Sequence, residues 1–145
     1  MSIFTRTKKK KANTATTTHA DTHSVVTEGA LDGAIAASEH AIGEQLLRGL
    51  AEVPGIRVFG ASIDAPRVAL ASVVVEGVHA HDAGQVLDNL GIAARVGHHC
   101  AQPLHRRLGV AATTRASAYL YTTEAEVDLF LDALSGVRAY FGAGR

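Results

Sequence analysis

The chain has 145 residues, enough for one domain with a hydrophobic core and too few for two large domains. Its residues are 47% hydrophobic and 19% charged, as in ordinary globular proteins, and no run approaches the roughly 18 apolar residues that cross a bilayer. The formal net charge is zero, but Arg6 and the four lysines at 8–11 concentrate positive charge in the first eleven residues. The rest of the chain is therefore acidic, which argues against a nucleic-acid-binding face.

Residues 1–25 are predicted to form a disordered tail, and residues 26–145 the folded domain. The tail is rich in Thr, Lys and Ala and has very few large apolar side chains, so it cannot bury enough surface to offset the entropy of ordering. The lysine run at 8–11 is read either as a solvated part of the tail or as a targeting or anion-binding patch.

The first half of the predicted domain contains one helix followed by two strands. Apolar side chains recur at spacings of three and four over residues 30–53, and Pro54 and Gly55 end this helix. Residues 56–59 and 68–75 are rich in β-branched and apolar side chains, which is typical of strands in a covered sheet.

The second half alternates between predicted helices and strands. A helix capped by Asp82 is expected to run to about Leu90, followed by a strand at 92–96 and another at 116–121. Thr123 and Glu126 have the spacing of a capping box, which opens a final amphipathic helix. The predicted fold class is therefore α+β, a sandwich with one small sheet and helices packed on it.

The only cysteine, Cys100, lies in the irregular run 95–104, whose sequence is RVGHHCAQPL. A lone cysteine forms no internal disulfide and favours a reducing, cytoplasmic location. Neighbouring positive charge lowers the pKa of a thiol from about 8.5 toward the physiological range, so the basic residues before Cys100 predict a reactive thiolate. The alternative is a buried, inert cysteine, which is more typical of a cysteine within an apolar helix or strand.

Residues 88–101, with the sequence DNLGIAARVGHHCA, resemble the active-cysteine segment of group II, SufS-like cysteine desulfurases, which belong to the class V aminotransferases. The run RAS at 115–117 resembles the second signature of that family, and the segments 79–82 and 122–128 also fit. The resemblance extends over about residues 39–141. It implies the small C-terminal domain of a fold-type I enzyme that uses pyridoxal phosphate (PLP).

The resemblance also implies roles for five residues. Cys100 would accept sulfur from L-cysteine as a persulfide, for sulfur transfer and iron–sulfur cluster assembly through an acceptor of the SufE or SufU type. Arg115 would bind the substrate carboxylate, and Arg95 would assist it, with a surface ion pair as the alternative for Arg95. His98 and His99 would orient the loop and tune the thiol, with a purely structural role for one of them as the alternative.

The cofactor half of such an enzyme is missing from the sequence. PLP needs a lysine for its Schiff base, and the chain's only lysines, at 8–11, lie in the predicted tail. The chain is therefore expected to be inactive alone. It would be one subunit of a split enzyme whose large domain is a separate chain, a free-standing persulfide carrier, or the product of a truncated gene. Self-association through the face that would meet the large domain is a further expectation.

Two other classes of function remain as alternatives. One is a zinc-binding module using His79, His81, His98, His99 and Cys100. The spacing is poor for zinc, since adjacent histidines rarely point the same way and no pair of cysteines is present; no metal is expected. The other is a catalytically silent interaction domain, in which Cys100 has no special reactivity.

Overall fold

The computed structural model describes residues 28–65 and 67–143. The predicted tail at 1–25 and its lysine run lie outside the described residues, so the domain boundary at residue 26 stays a prediction. No helix within the two described ranges is both long and apolar enough to span a membrane.

The described chain contains four helices and four strands. In order, they are α1 (Glu28–Glu52), β1 (Ile56–Phe59), β2 (Leu70–Val75), α2 (Ala80–Asn89), β3 (Arg95–Gly97), α3 (Gln102–Leu108), β4 (Thr113–Ser117) and α4 (Glu124–Tyr140). The strands form one sheet in the order β1-β2-β4-β3, and every neighbouring pair is antiparallel. The predicted α+β class, with one small sheet and helices packed on it, is confirmed.

The hydrophobic core lies between one face of the sheet and helices α1, α2 and α4. In β2, alternate residues point to this face, where Ala71, Val73 and Val75 are buried. Phe130 and Leu134 of α4 are completely buried against them in the same cluster. The capping box of Thr123 and Glu126 is present at the start of α4, as predicted.

The opposite face of the sheet, called here the open face, has a different composition. Because side chains alternate along a strand and direct cross-strand partners share a face, the register assigns its members. They include Arg57, Ser72, Val74, Arg95 and Arg115. One arginine here also positions α3, since Nη2 of Arg57 donates a hydrogen bond of 2.9 Å to the carbonyl oxygen of Leu108.

Two predicted strands are misplaced. The strand expected at 92–96 begins only at Arg95, because Ile92 completes the end of α2 and is fully buried. Gly91 takes a left-handed φ of 80°, and the amide of Ile92 donates to the carbonyl of Leu87 at 2.9 Å. The strand expected at 116–121 is instead β4 at Thr113–Ser117, and the residues after it turn away from the sheet with Tyr121 exposed.

Two local features of the helices also differ from the prediction. Helix α2 begins at Ala80 and is capped by His79 rather than by Asp82, since Nδ1 of His79 accepts a 3.3 Å hydrogen bond from the amide of His81. Helix α3 was not predicted at all. It starts with Pro103 in its first turn and ends at Gly109, whose φ is 70°.

Candidate active site

A tight turn between β3 and α3 presents Cys100 at the protein surface. His99 and Cys100 both have left-handed backbone conformations, with φ values of 52° and 62°. The amide of Ala101 donates a 2.8 Å hydrogen bond to the carbonyl of His98 and closes the turn. Each non-glycine residue in this conformation costs about 1–2 kcal/mol, so the turn stores strain at the cysteine. The side chain of Cys100 is exposed.

Arg95 is the charged residue that reaches the sulfur. Its Nη2 lies 3.9 Å from Sγ of Cys100, a long contact in which a cation faces the thiol. Both side chains are exposed. The predicted proximity of positive charge to Cys100 is therefore present in the structure, and it comes from a residue at the start of the neighbouring strand β3.

Arg95 and Arg115 lie directly opposite each other on β3 and β4. Like charges at this position destabilise a sheet unless an anion compensates them. Within residues 28–65 and 67–143, neither arginine forms an ion pair with an Asp or Glu, so the alternative of a surface ion pair for Arg95 has no partner there. Nε of Arg115 is buried without a hydrogen-bond partner in the same part of the chain. The pair suits a bound carboxylate, which a guanidinium binds in bidentate fashion.

The two histidines before Cys100 have different environments. His98 is exposed and its ring packs edge-on against His105, with 5.6 Å between ring centroids. His99 is half-buried, and its Nε2 lies 2.9 Å from Oγ1 of Thr113. Thr113 also contacts Nε2 of His105 at 3.1 Å. Thr113 and His105 were not predicted as site residues, because their role depends on the fold of α3 back onto β4.

Burial lowers the pKa of His99 below its ordinary value of 6.5, and the positive charge of Arg115 lowers it further. Arg95 and His105 act in the same direction, and a hydrogen bond with the backbone of Thr113 opposes them by raising the pKa. The uncharged ring is therefore favoured at neutral pH.

The zinc alternative finds no support in the described residues. His79 caps α2, and its ring lies tilted beside that of His81, with ring centroids 5.3 Å apart. No three His, Cys, Asp or Glu side chains in the described ranges are arranged to hold a metal ion.

Comparison with known proteins decides the family. Residues 17–130 match the family described as aminotransferase class-V. The chain belongs to the class V aminotransferases. Among curated members it is similar to the probable cysteine desulfurase of Streptomyces coelicolor, with 51% identity over 108 residues. That alignment covers 74% of this chain but only 26% of the relative, so this class V aminotransferase chain spans about a quarter of the relative's length.

Solved structures give the same picture. The apo cysteine desulfurase from Thermococcus onnurineus superposes with a TM-score of 0.68 at 33% identity, over 72% of this chain and 26% of that one. A cystine C-S lyase variant carrying glycine covalently linked to its PLP cofactor superposes with a TM-score of 0.55 at 25% identity, over 68% of this chain and 23% of that one. Homologous structures thus bind PLP.

The residues described here do not fit PLP in the same way. The Schiff base that joins PLP to its own enzyme needs a lysine amine, and residues 12–145 contain no lysine. These residues supply an exposed thiol on Cys100 and two facing arginines, of which Arg95 is also the cation beside the thiol.

Proposed function

We propose that this chain is the sulfur-accepting part of a cysteine desulfurase of the group II, SufS-like subtype, with Cys100 as the acceptor. The observation that carries the proposal is the exposed sulfur of Cys100, held in a strained turn with the guanidinium of Arg95 at 3.9 Å. A nearby cation favours the thiolate, the form of cysteine that attacks sulfur. The similarity to curated cysteine desulfurases supports the same reaction.

The proposed reaction moves one sulfur atom from L-cysteine to Cys100. The bond between Cβ and sulfur of the substrate breaks, and a sulfur–sulfur bond to Cys100 forms. The carbon receives the electron pair and a proton, so that L-alanine leaves and a persulfide remains on Cys100. The protons balance. Of the two thiol hydrogens, from substrate and enzyme, one ends on the methyl group of alanine and the other on the persulfide.

Arg115 and Arg95 are proposed to bind the carboxylate of L-cysteine. Their direct opposition on the sheet places two guanidinium groups on the open face. A carboxylate between them would relieve their repulsion and give Nε of Arg115 a hydrogen-bond partner. His99 and His98 are proposed to orient the turn that carries the thiol.

The remaining parts of the reaction need other components. Because residues 12–145 contain no lysine, we propose that PLP is held by a large domain on a separate chain, and that the open face docks against it. A persulfide on Cys100 would then pass to a SufE- or SufU-type acceptor by thiol exchange in the cytoplasm. A free-standing carrier, a homo-oligomer or a truncated product remain alternatives to the split enzyme.

The test is sulfur acceptance from cysteine persulfide, which needs no PLP. Intact mass spectrometry should show one sulfur atom added to the wild-type chain and none to Cys100→Ser. The folded chain should react faster than the same chain unfolded in urea, because only the fold places Arg95 beside the sulfur. Equal rates for the folded and unfolded chains would contradict the proposal and favour a silent interaction domain.

A further inference from the structure

A line of four hydrogen-bonding groups runs from the backbone of the Cys100 turn back to His99. Nδ1 of His105 lies 3.0 Å from the carbonyl oxygen of Ala101. Nε2 of the same ring lies 3.1 Å from Oγ1 of Thr113, which in turn lies 2.9 Å from Nε2 of His99. His105 and Thr113 are only 5% and 1% exposed. Water is therefore largely excluded from the middle of this line.

The chemistry of the groups fixes the direction of each bond when both rings are uncharged. The carbonyl oxygen of Ala101 can only accept, so Nδ1 of His105 carries that ring's proton. Nε2 of His105 must then accept, and the hydroxyl of Thr113 donates to it. The same hydroxyl oxygen accepts from Nε2 of His99, which therefore carries the proton of the His99 ring.

One nitrogen is left over at the end of the line. Nδ1 of His99 is buried and has no hydrogen-bond partner within residues 28–65 and 67–143. In the tautomer just derived, this nitrogen carries a lone pair and no proton. A buried acceptor without a partner costs roughly 1–3 kcal/mol, so its retention beside the reactive turn points to a use. Burial and the charge of Arg115 keep the ring in the uncharged state by lowering the pKa of His99.

We propose that Thr113 and His105 are positioning residues that hold His99 as its Nε2–H tautomer, leaving Nδ1 as a lone-pair acceptor beside the Cys100 turn. This deepens the proposed function and rests on it. His99 immediately precedes Cys100 in the strained turn, so holding its ring in one orientation also holds the backbone that carries the thiol. Arg115 and Arg95 also face His99, and their positive charges favour the uncharged ring that this tautomer requires.

Long-range proton–nitrogen NMR of the histidine rings tests the geometry without any variant. The wild-type chain should show the Nε2–H tautomer for His99 and the Nδ1–H tautomer for His105 near neutral pH. An Nδ1–H tautomer for His99 would overturn the proposal.

Three threonine variants test the consequence. Thr113→Val removes the bridging hydroxyl at nearly constant shape, so His99 should lose its single tautomer and alkylation of Cys100 should slow several-fold. Thr113→Ser keeps the hydroxyl and should restore both. Thr114→Val is the matched control, because its buried hydroxyl donates to the carbonyl of Ala80 at 3.2 Å and lies outside this line. It should reduce stability without changing the tautomer.

The readouts separate this proposal from the proposed function. Unchanged alkylation in Thr113→Val, together with a changed tautomer, would overturn the positioning role while leaving sulfur acceptance by Cys100 intact. If the alkylation effects appear but wild-type Cys100 takes no sulfur from cysteine persulfide, the positioning role holds and the desulfurase proposal fails. A loss of folding in Thr113→Val would be seen in the NMR spectrum, and the proposal would then be decided by the wild-type tautomers and by Thr113→Ser.

Discussion

The strained turn predicts that glycine at position 100 makes the protein more stable than alanine does. Cys100 has a φ of 62°, in the left-handed region where a side chain costs about 1–2 kcal/mol. Glycine relieves that strain. It also gives the unfolded chain more conformational entropy, which lowers the stability of the folded state by about 0.4–1 kcal/mol. The expected difference is therefore about 0.5–1 kcal/mol in the free energy of unfolding, in favour of Cys100→Gly over Cys100→Ala.

Urea denaturation of both variants measures this difference, and comparison with alanine removes the effect of losing the sulfur. A difference of this size corresponds to a Tm rise of about 2–4 °C for a domain of this length. Ala101→Gly is the control, because Ala101 has a φ of −126° and is not strained, so glycine there should lower the stability. The reasoning is refuted if Cys100→Gly is no more stable than Cys100→Ala, or if Ala101→Gly stabilises the protein as much.

Three further predictions follow from the site and its supports. Arg95→Gln should slow alkylation of the thiol several-fold near pH 7, since it removes the cation 3.9 Å from the sulfur; an unchanged rate would contradict that role. Because the pKa of His99 is lowered in the folded state, His99 of the unfolded chain takes up a proton at a higher pH than His99 of the folded chain. The free energy of unfolding should therefore decrease as the pH falls through 6.5. His99→Gln should make that decrease smaller, as measured by urea denaturation at several pH values. An unaltered pH dependence of the free energy of unfolding would contradict this role of His99. Gly84→Ala should cost about 1–2 kcal/mol, because the added carbon would lie 2.5 Å from Cγ1 of Val96; Gly136→Ala, with open space around it, should not destabilise.

Elements with strong local signals were predictable from the sequence. The capping box at Thr123 and the apolar stripe containing Phe130 specify α4 almost by themselves. The strand prediction at 116–121 failed because Tyr119, Leu120 and Tyr121 have strand-like side chains but lie exposed beyond the sheet. Thr122 holds that turn by accepting a hydrogen bond from the amide of Tyr119, a contact with no periodic signal in the sequence.

Helix α3 could have been found from its ends. Proline is favoured in the first turn of a helix and glycine just after its last residue, and Pro103 and Gly109 occupy those positions. Because the whole segment around Cys100 was predicted to be irregular, neither this helix nor the burial of His105 on it was predicted.

The candidate site was predictable only in part. Cys100, Arg95, His98 and His99 are close in sequence, so their grouping in one segment was predictable, whereas the 3.9 Å contact between Arg95 and the sulfur depends on the fold. The placement of Arg115 opposite Arg95 depends on the register between β3 and β4, which the residues alone do not specify. For the same reason, the contact between Thr113 and His99 could not be predicted.

The central claim is that this chain supplies the sulfur-accepting part of the reaction and not the part that holds PLP. The most direct test is alanine release from L-cysteine by the purified chain with added PLP, with Cys100→Ala and PLP alone as controls. The account predicts no alanine beyond the controls, because residues 12–145 contain no lysine. Alanine release that depends on Cys100 would contradict it and would show that the chain assembles a PLP site of its own.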